Sequence, residues 1–282
     1  MSIVITGASG AAGQSLIAAL RSRDVKVVAL SHSDAGEQRL RDTGAVVVRA
    51  DLAHAAQLRD AFAGAQAVHV IPPSLHPRED VLVENAVQAA EAAGVPRLVY
   101  HSVMHPHTPT LRNHMRKSRA EVAVRESGLR WTILQPSMFA QVVLPLLGRV
   151  VDGEIVVPFS PEAPISVIDL LDLADVAARV LTEDGHDYAT YDLAGPLTTL
   201  EKMAAEISAA RGVPLNVRQV PVAAGPLPPS AAAHPLSAAD MISTFAHYDQ
   251  HGYRGNPRVL GMLLGRPPAT FAEVVRRELA KV

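Results

Sequence analysis

A glycine-rich turn directly after the first apolar run constrains the fold of this chain more than any other feature. The run Ile3–Thr6 is followed by Gly7, Gly10 and Gly13, in the spacing Gly-x-x-Gly-x-x-Gly, and then by an amphipathic segment. A tight turn, a close backbone approach to a pyrophosphate and close helix–strand packing each require glycine at one of these positions. The pattern predicts a strand–turn–helix unit whose helix N-terminus binds dinucleotide phosphates. The residues expected to contact the dinucleotide in this turn are Gly7, Ser9, Gly10, Ala11, Ala12 and Gly13.

Short apolar runs alternate with alanine- and leucine-rich segments through the first half of the chain. The predicted strands are Ile3–Thr6, Val25–Leu30, Ala45–Val48, Ala67–Ile71, Leu98–Ser102 and Trp131–Leu134, and the predicted helices lie near 10–22, 36–42, 55–63, 78–93 and 112–127. Continuous apolar strands are typical of a parallel sheet that is buried on both faces. Because helical segments separate the strands, right-handed crossovers are expected. The pattern predicts an α/β fold with a doubly wound parallel sheet of the Rossmann type.

The second half of the chain is less regular, and proline and glycine interrupt residues 136–164. The predictions there are helices over 172–181 and 199–211, a returning strand over 188–193 and a surface loop over 222–235. We expect an NAD(P)-binding Rossmann domain over residues 1–155, to which a strand and helix from about 165–195 return. A smaller α+β substrate-binding lobe is expected over residues 196–282.

Composition limits the classes of function. Lys and Arg number 26 against 28 Asp and Glu, and this near-neutral balance gives no electrostatic reason to expect binding to nucleic acid, which needs a concentrated basic surface. The chain has no cysteine, which excludes disulfides, zinc–thiolate sites and thiol catalysis. No membrane span is expected, because the apolar stretch 142–151 contains Pro145, Gly148 and Arg149. We expect a cytoplasmic protein with a small-molecule substrate, and the sequence leaves a homodimer or a regulatory protein partner open.

The tip of the second strand predicts which dinucleotide binds. An acid at this point binds the ribose diol of NAD, whereas this chain has Ser31, His32 and Ser33 with no acid before Asp34. Hydroxyl and imidazole groups can donate hydrogen bonds to a 2′-phosphate, so NADP(H) is favoured over NAD(H). The alternative is a polar turn without a ligand. No arginine stands at the tip, and the candidates on the following helix are Arg39 and Arg41.

Two other strand ends are expected to border the cofactor. Asp51 and Leu52 follow the third strand, where the adenine would lie, and Pro72 and Pro73 follow the fourth, beside the nicotinamide ribose. The physical reason is that ligands of doubly wound sheets bind outside the carboxyl ends of the strands.

Four segments together resemble the NmrA-like branch of the atypical short-chain dehydrogenase/reductases. They are Thr6–Gly13, His101–Pro106, Ser127–Pro136 and Leu264–Pro268. The resemblance spans nearly the whole chain and implies a Rossmann domain with a small C-terminal substrate lobe that binds NADP(H) or NAD(H). It implies two kinds of function, because the family contains reductases of quinones, dyes, lignans and isoflavonoids, and also redox-sensing regulators without catalysis.

The usual acid of short-chain dehydrogenases is missing. Those enzymes protonate the substrate with the tyrosine of Tyr-x-x-x-Lys, and no tyrosine of this chain precedes a lysine by four residues. Lys117 is expected to contact the nicotinamide ribose, although Asn113 stands four residues before it. Ser102, at the end of the fifth strand, is expected to donate a hydrogen bond to substrate or nicotinamide. The alternatives are a serine that closes a strand and a solvated Lys117 paired with Glu121.

A histidine-rich segment follows the fifth strand and contains His101, His105, His107 and His114. An imidazole can supply a proton near neutral pH, and His105 and His114 are the candidates for this role. No metal site is expected, because no acid lies between His101 and His114. The alternative is a set of ordinary polar loop histidines.

Met138 and Phe139 follow the sixth strand and are expected to line the substrate pocket, although such residues are also common in cores. The motifs together predict an NADP(H)-dependent oxidoreductase that reduces a small, fairly apolar electrophile of the quinone, enone or imine type. The missing tyrosine favours the alternative, a non-catalytic redox sensor of the NmrA type. Non-redox chemistry such as isomerisation is a third hypothesis.

Overall fold

The computed structural model describes residues 2–147, 150–151 and 154–280. The chain divides into two compact units. Unit 1 consists of Met1–His107, His114–Gln135 and Leu173–Tyr191, and unit 2 of Thr108–Asn113, Pro136–Asp172 and Asp192–Val282. By contacts, residues 136–172 therefore belong with the C-terminal part of the chain. The predicted functional division, with a Rossmann domain to residue 155 and a substrate lobe from 196, stays a prediction.

The elements of the first half follow the predicted alternation. In chain order they are β1 (Ser2–Ile5), α1 (Ala11–Arg21), β2 (Lys26–Ser31), α2 (Asp34–Leu40), β3 (Val46–Arg49), α3 (Ala55–Phe62), β4 (Ala67–Val70), α4 (Glu79–Ala92), β5 (Arg97–His101), α5 (Arg112–Glu126) and β6 (Arg130–Pro136). All six strands and five helices expected there are present, with ends shifted by a few residues.

The second half adds shorter elements. They are β7 (Met138–Phe139), α6 (Ala140–Leu147), β8 (Val150–Val151), β9 (Glu154–Val157), β10 (Ile165–Ile168), α7 (Leu170–Thr182), β11 (Ala189–Leu193), β12 (Leu197–Thr198), α8 (Leu200–Arg211), β13 (Asn216–Gln219), α9 (Pro229–Ala232), α10 (Pro235–His251), α11 (Arg258–Leu264) and α12 (Phe271–Leu279). No helix within the described ranges is long and apolar enough to cross a membrane.

A seven-stranded sheet forms the centre of unit 1. Its strand order is β11-β6-β5-β4-β1-β2-β3, and β1 to β6 pair in parallel. Every residue of β4 and β5 is buried, as strands covered on both faces require. The chain leaves β1 towards β2 on one side and later returns to β4 on the other, which creates a switch point between β1 and β4. This confirms the predicted doubly wound Rossmann fold.

Unit 2 contains two small sheets, β12-β10-β7 and β13-β9-β8. The loop predicted over 222–235 is partly wrong, because a 3₁₀ turn forms at Val222–Ala224 and α9 at Pro229–Ala232. The 17-residue helix α10 then begins at Pro235. Proline at the first position of a helix loses no hydrogen bond, so these prolines start helices here and do not prevent them.

Two buried carboxylates hold the C-terminal helices of unit 2. Asp169 is 1% exposed and accepts two hydrogen bonds from Arg277, at 2.7 and 2.8 Å. Asp172 accepts a hydrogen bond of 2.6 Å from Arg266 and one of 2.7 Å from the backbone N–H of Ala269. The ion pair with Asp172 gives the Leu264–Pro268 segment a structural role.

Candidate cofactor and active site

Backbone geometry requires glycine at two positions of the turn between β1 and α1. Gly7 has a φ of +59°, and a Cβ there would lie 2.5 Å from the carbonyl oxygen of Ile71. A Cβ at Gly13 would lie 2.6 Å from the Cα of Ala8. Any side chain at these two positions would push β1, the end of β4 and α1 apart.

The third glycine leaves space for a ligand. Among the described residues, a Cβ at Gly10 would meet only the carbonyl oxygen of Gly7, at 3.3 Å. No side chain caps α1 at Gly10, and the first N–H that bonds back into the helix is that of Gln14, at 2.9 Å. The N–H groups of Ala11, Ala12 and Gly13 are therefore left for an external acceptor. The residues present fit the pyrophosphate of a dinucleotide, which needs such a cradle and the positive end of a helix dipole.

Hydroxyl groups converge at the tip of β2, beside the glycine turn. A Cβ at Gly36 would lie 2.3 Å from the Oγ of Ser31 and 3.2 Å from the Oγ atoms of both Ser9 and Ser33. The hydroxyl of Ser31 donates to the carbonyl of Ser33 at 3.0 Å, and the Oγ of Ser33 caps α2 by accepting from the N–H of Gly36. The structure thus brings Ser9, Ser31 and Ser33 together, and the exposed His32 stands between the last two.

Sequence reasoning missed the cation at this tip, which is Arg49. Its guanidinium forms ion pairs with Asp34 and Glu37 and donates to the carbonyl of His32 at 3.2 Å. Arg49 is distant from Ser33 in the sequence, whereas Arg39 and Arg41 directly follow the strand tip along the chain. The signal lay in the neighbouring strand, since Ser31 and Arg49 are register partners in the parallel pair β2–β3.

The other predicted cofactor contacts lie at strand ends in unit 1. Asp51 forms a local turn through its Oδ1, which accepts from the N–H of Ala53 at 2.9 Å, and the carbonyl of Leu52 accepts from Asn85 at 3.0 Å. Pro72 is buried and Pro73 is exposed, in the loop that leaves β4. This loop begins at the switch point beside the glycine turn, where ligands of such sheets bind.

Ser102 directs its hydroxyl into the protein. The hydroxyl donates to the Oε1 of Glu121 at 2.5 Å. Gln135 donates to the same oxygen at 2.7 Å, and Arg125 donates to the other oxygen at 2.8 Å. Glu121 is completely buried. Because serine has one hydroxyl proton, Ser102 can offer only acceptor lone pairs to any further neighbour while this bond persists.

Lys117 forms an ion pair with Glu79, the completely buried first residue of α4. The suggested pairing with Glu121 is wrong, because Arg125 occupies that carboxylate. Burial raises the pKa of Glu79, and the positive charge of Lys117 opposes this rise. The second carboxylate oxygen of Glu79 has no hydrogen-bond partner among the described residues. Lys117 is thus held by a carboxylate that depends on it for charge balance.

Tyr100 lies beside Lys117 although the Tyr-x-x-x-Lys spacing is absent. The lysine Nζ is 6.0 Å from the centre of the Tyr100 ring. Tyr100 and Ser102 alternate with His101 along the chain, so their side chains share one face at the end of β5. Burial raises the pKa of Tyr100 well above its usual value, and Glu79 and Glu121 raise it further. This tyrosine is therefore a poor replacement for the missing acid.

The histidines after β5 occupy different environments. His114 is 2% exposed, its Nδ1 is 3.3 Å from the carbonyl oxygen of His105, and burial lowers its pKa to about 3. His101 is also buried and packs edge-on against His69, with a lowered pKa. His105 and His107 are exposed. His105 has a φ of +56°, a conformation that is costly for a residue other than glycine and that clusters at functional sites.

The predicted substrate residues lie in unit 2. Met138 and Phe139 form β7, are half-buried and pair in parallel with Val167 and Ile168 of β10. Within the described ranges, no three histidine or acidic side chains come together to hold a metal ion.

Comparison with known proteins identifies the family. A model of the NmrA-like family matches residues 1–257, and the chain belongs to this family. Quinone oxidoreductase 2 of Escherichia coli (strain K12) is 27% identical over 277 residues, covering 97% of each chain. A (4-alkanoyl-5-oxo-2,5-dihydrofuran-3-yl)methyl phosphate reductase of Streptomyces griseus subsp. griseus is 30% identical over 276 residues, covering 96% of this chain and 95% of that protein. A crystal structure of the E. coli NADPH-dependent quinone oxidoreductase with NADPH has a TM-score of 0.84 at 28% identity, covering 98% of this chain and 99% of that one.

Proposed function

We propose that this protein is an NADPH-dependent reductase of a small, fairly apolar electrophile of the quinone, enone or imine type. The observation that carries the proposal is the glycine turn with the uncapped N-terminus of α1, which fits a dinucleotide pyrophosphate. Further support comes from the full-length similarity to a quinone oxidoreductase and from the NADPH bound in that relative's structure. When bound, the nicotinamide supplies the hydride.

The chain's own residues would bind the dinucleotide, orient its nicotinamide and supply a proton to the reduced substrate. The N–H groups at the start of α1 hold the pyrophosphate, and Lys117 contacts the nicotinamide ribose while Glu79 fixes its position. Ser102 contributes an acceptor, because its hydroxyl already donates its one hydrogen bond to Glu121. A two-electron reduction by hydride also consumes a proton, so a proton source is needed at the reduced heteroatom or carbon.

His105 is the proposed proton source. The ring of His114 is sealed in the core with a pKa of about 3, so it has no proton to give near neutral pH. The hydroxyl of Tyr100 is buried, and its raised pKa makes it a weak acid. His105 is exposed and has a strained backbone conformation in the segment that follows β5, the strand whose end would border the nicotinamide.

The test is NADPH oxidation measured with a panel of quinones, enones and imines. We expect turnover with at least one class. His105→Ala should lower kcat by about 100-fold, the lower end for loss of a general acid, with little change in NADPH affinity. The matched control is His107→Ala, an exposed histidine two residues later, which should retain nearly full activity.

The sensor hypothesis is the second candidate, and the absence of a Tyr-x-x-x-Lys motif favours it. It predicts no turnover with any electrophile, together with NADP⁺ binding at least as tight as NADPH binding. That combination would refute the reductase. Equal loss of activity in His105→Ala and His107→Ala would refute the proposed proton donor and leave the reductase standing.

A further inference from the structure

The ion pairs of Arg49 suggest how this chain selects its dinucleotide. Arg49 is the register partner of Ser31, so its side chain emerges at the tip of β2, where the 2′ position of an adenosine ribose lies in a Rossmann fold. Around this point stand the hydroxyls of Ser9, Ser31 and Ser33, which lie within a few ångströms of Gly36. The tip thus combines one cation with several small polar groups.

The guanidinium of Arg49 retains capacity for an anion. Its Nε faces Glu37, one terminal nitrogen faces Asp34, and the other donates to the carbonyl of His32 at 3.2 Å. These contacts use three of the five N–H donors, and the Arg49 side chain is 48% exposed. The backbone bond to His32 anchors the guanidinium at the strand tip, while two N–H groups remain for a ligand.

The two carboxylates hold Arg49 in different ways. The side chain of Asp34 is 96% exposed, so its ion pair is a solvated one that a better acceptor can replace at low cost. The side chain of Glu37 is 34% exposed and is held on α2. A dianionic phosphate binds an arginine bidentately and more strongly than a surface carboxylate does. A 2′-phosphate would therefore displace Asp34, while both acids would repel it.

We propose that Arg49 recognises the 2′-phosphate of NADP(H), and that Asp34 and Glu37 restrain this preference by competing for the same guanidinium. The inference rests on the proposed function, because it assumes that a dinucleotide binds at the glycine turn. It assigns the specificity to three residues, of which sequence reasoning considered only Asp34. It assigns the contact with the 2′-phosphate to Arg49 in place of Arg39 and Arg41, the candidates that follow Ser33 in the chain.

The test is calorimetric titration of the full chain with adenosine 2′,5′-bisphosphate and with adenosine 5′-monophosphate, which differ only in the 2′-phosphate. We expect the wild type to bind the bisphosphate on the order of tenfold more tightly, as for one charge-assisted contact that is partly offset. Arg49→Gln should reduce this ratio to one or below, because Asp34 and Glu37 would then repel the 2′-phosphate without an opposing cation. Asp34→Asn should raise it several-fold, because one competitor is removed.

Two control experiments separate attraction of the 2′-phosphate by Arg49 from its repulsion by Asp34 and Glu37. Arg59→Gln removes the same charge from an exposed arginine of α3 and should leave the ratio unchanged. The double variant Asp34→Asn, Arg49→Gln should still lack the preference; a restored ratio would overturn the inference, because only repulsion would then have been at work. An unchanged ratio in Arg49→Gln would also overturn it. If the wild type binds neither compound nor NADPH, both the inference and the proposed function are refuted. If NADPH binds but the variants do not change the ratio, the inference alone is refuted.

Discussion

Replacing Lys117 by methionine removes the cation that faces the buried carboxylate of Glu79. Glu79 is completely buried, and one of its oxygens has no partner within the described ranges even in the wild type. Without Lys117 this buried carboxylate would lose its ion-pair partner, and the weaker influence of the Arg116 charge would be left to balance it. Glu79 would avoid that state by taking up a proton, so the free energy of unfolding of the variant should depend on pH.

The size of the effect follows from the cost of keeping Glu79 protonated. Its ordinary pKa is 4.5, which the unfolded chain retains, and removal of Lys117 raises the folded pKa further. Between pH 4.5 and pH 7 lie 2.5 units at about 1.36 kcal/mol each, so the variant should lose up to about 3.4 kcal/mol at pH 7. Because the folded pKa is raised, this stability is present below pH 4.5 and is lost as the pH rises. At pH 5 the loss should be less than about 1 kcal/mol.

Urea denaturation at pH 5 and pH 7 measures this difference. The double variant Glu79→Gln, Lys117→Met should recover most of the stability and lose the pH dependence, since nothing buried titrates there any longer. Arg119→Met is the matched control, because Arg119 pairs with Asp80 at 2.7 Å between the same two helices but is 57% exposed. It should cost less than about 1 kcal/mol. A Lys117→Met loss that is equally small, or that is the same at both pH values, would show that Glu79 does not depend on Lys117 for its charge balance.

The remaining predictions concern the glycine turn and the C-terminal helices. Gly13→Ala places a Cβ against the Cα of Ala8 and should clearly lower the midpoint of thermal unfolding. Gly10→Asp should fold normally but fail to bind NADPH in a titration, because its carboxylate would face the pyrophosphate. Arg266→Met leaves the buried Asp172 with its backbone donor alone and should cost about 1.5–3 kcal/mol in urea denaturation; a loss within error of zero would contradict a structural role for that ion pair.

The fold and the family could be predicted from the sequence because their signals are local. A buried strand, three glycines at fixed spacing and a helix define the first βαβ unit within about thirty residues, as such units require. The resemblance to the NmrA-like family is confirmed by the match over residues 1–257. The helices at Pro229 and Pro235 were missed for a local reason too, because proline either starts a helix or prevents one.

The partners of the candidate site residues were missed because they are distant in the sequence. Glu79 stands 38 residues before Lys117, and its pairing depends on how α4 and α5 pack. Arg49 reaches the tip of β2 only through the register of two parallel strands. The bond from Ser102 to Glu121 turns an expected donor into an acceptor, and no sequence pattern reports the direction of a hydrogen bond.

The most direct test of a dinucleotide site at the glycine turn is a calorimetric titration of the wild type and of Gly10→Asp with NADPH, NADP⁺, NADH and NAD⁺ at one salt concentration. We expect NADPH to bind the wild type more tightly than NADH does, and Gly10→Asp to bind none of the four while it remains folded. Absence of binding to the wild type, or unchanged NADPH affinity in Gly10→Asp, would contradict the assignment of the glycine turn as a dinucleotide site.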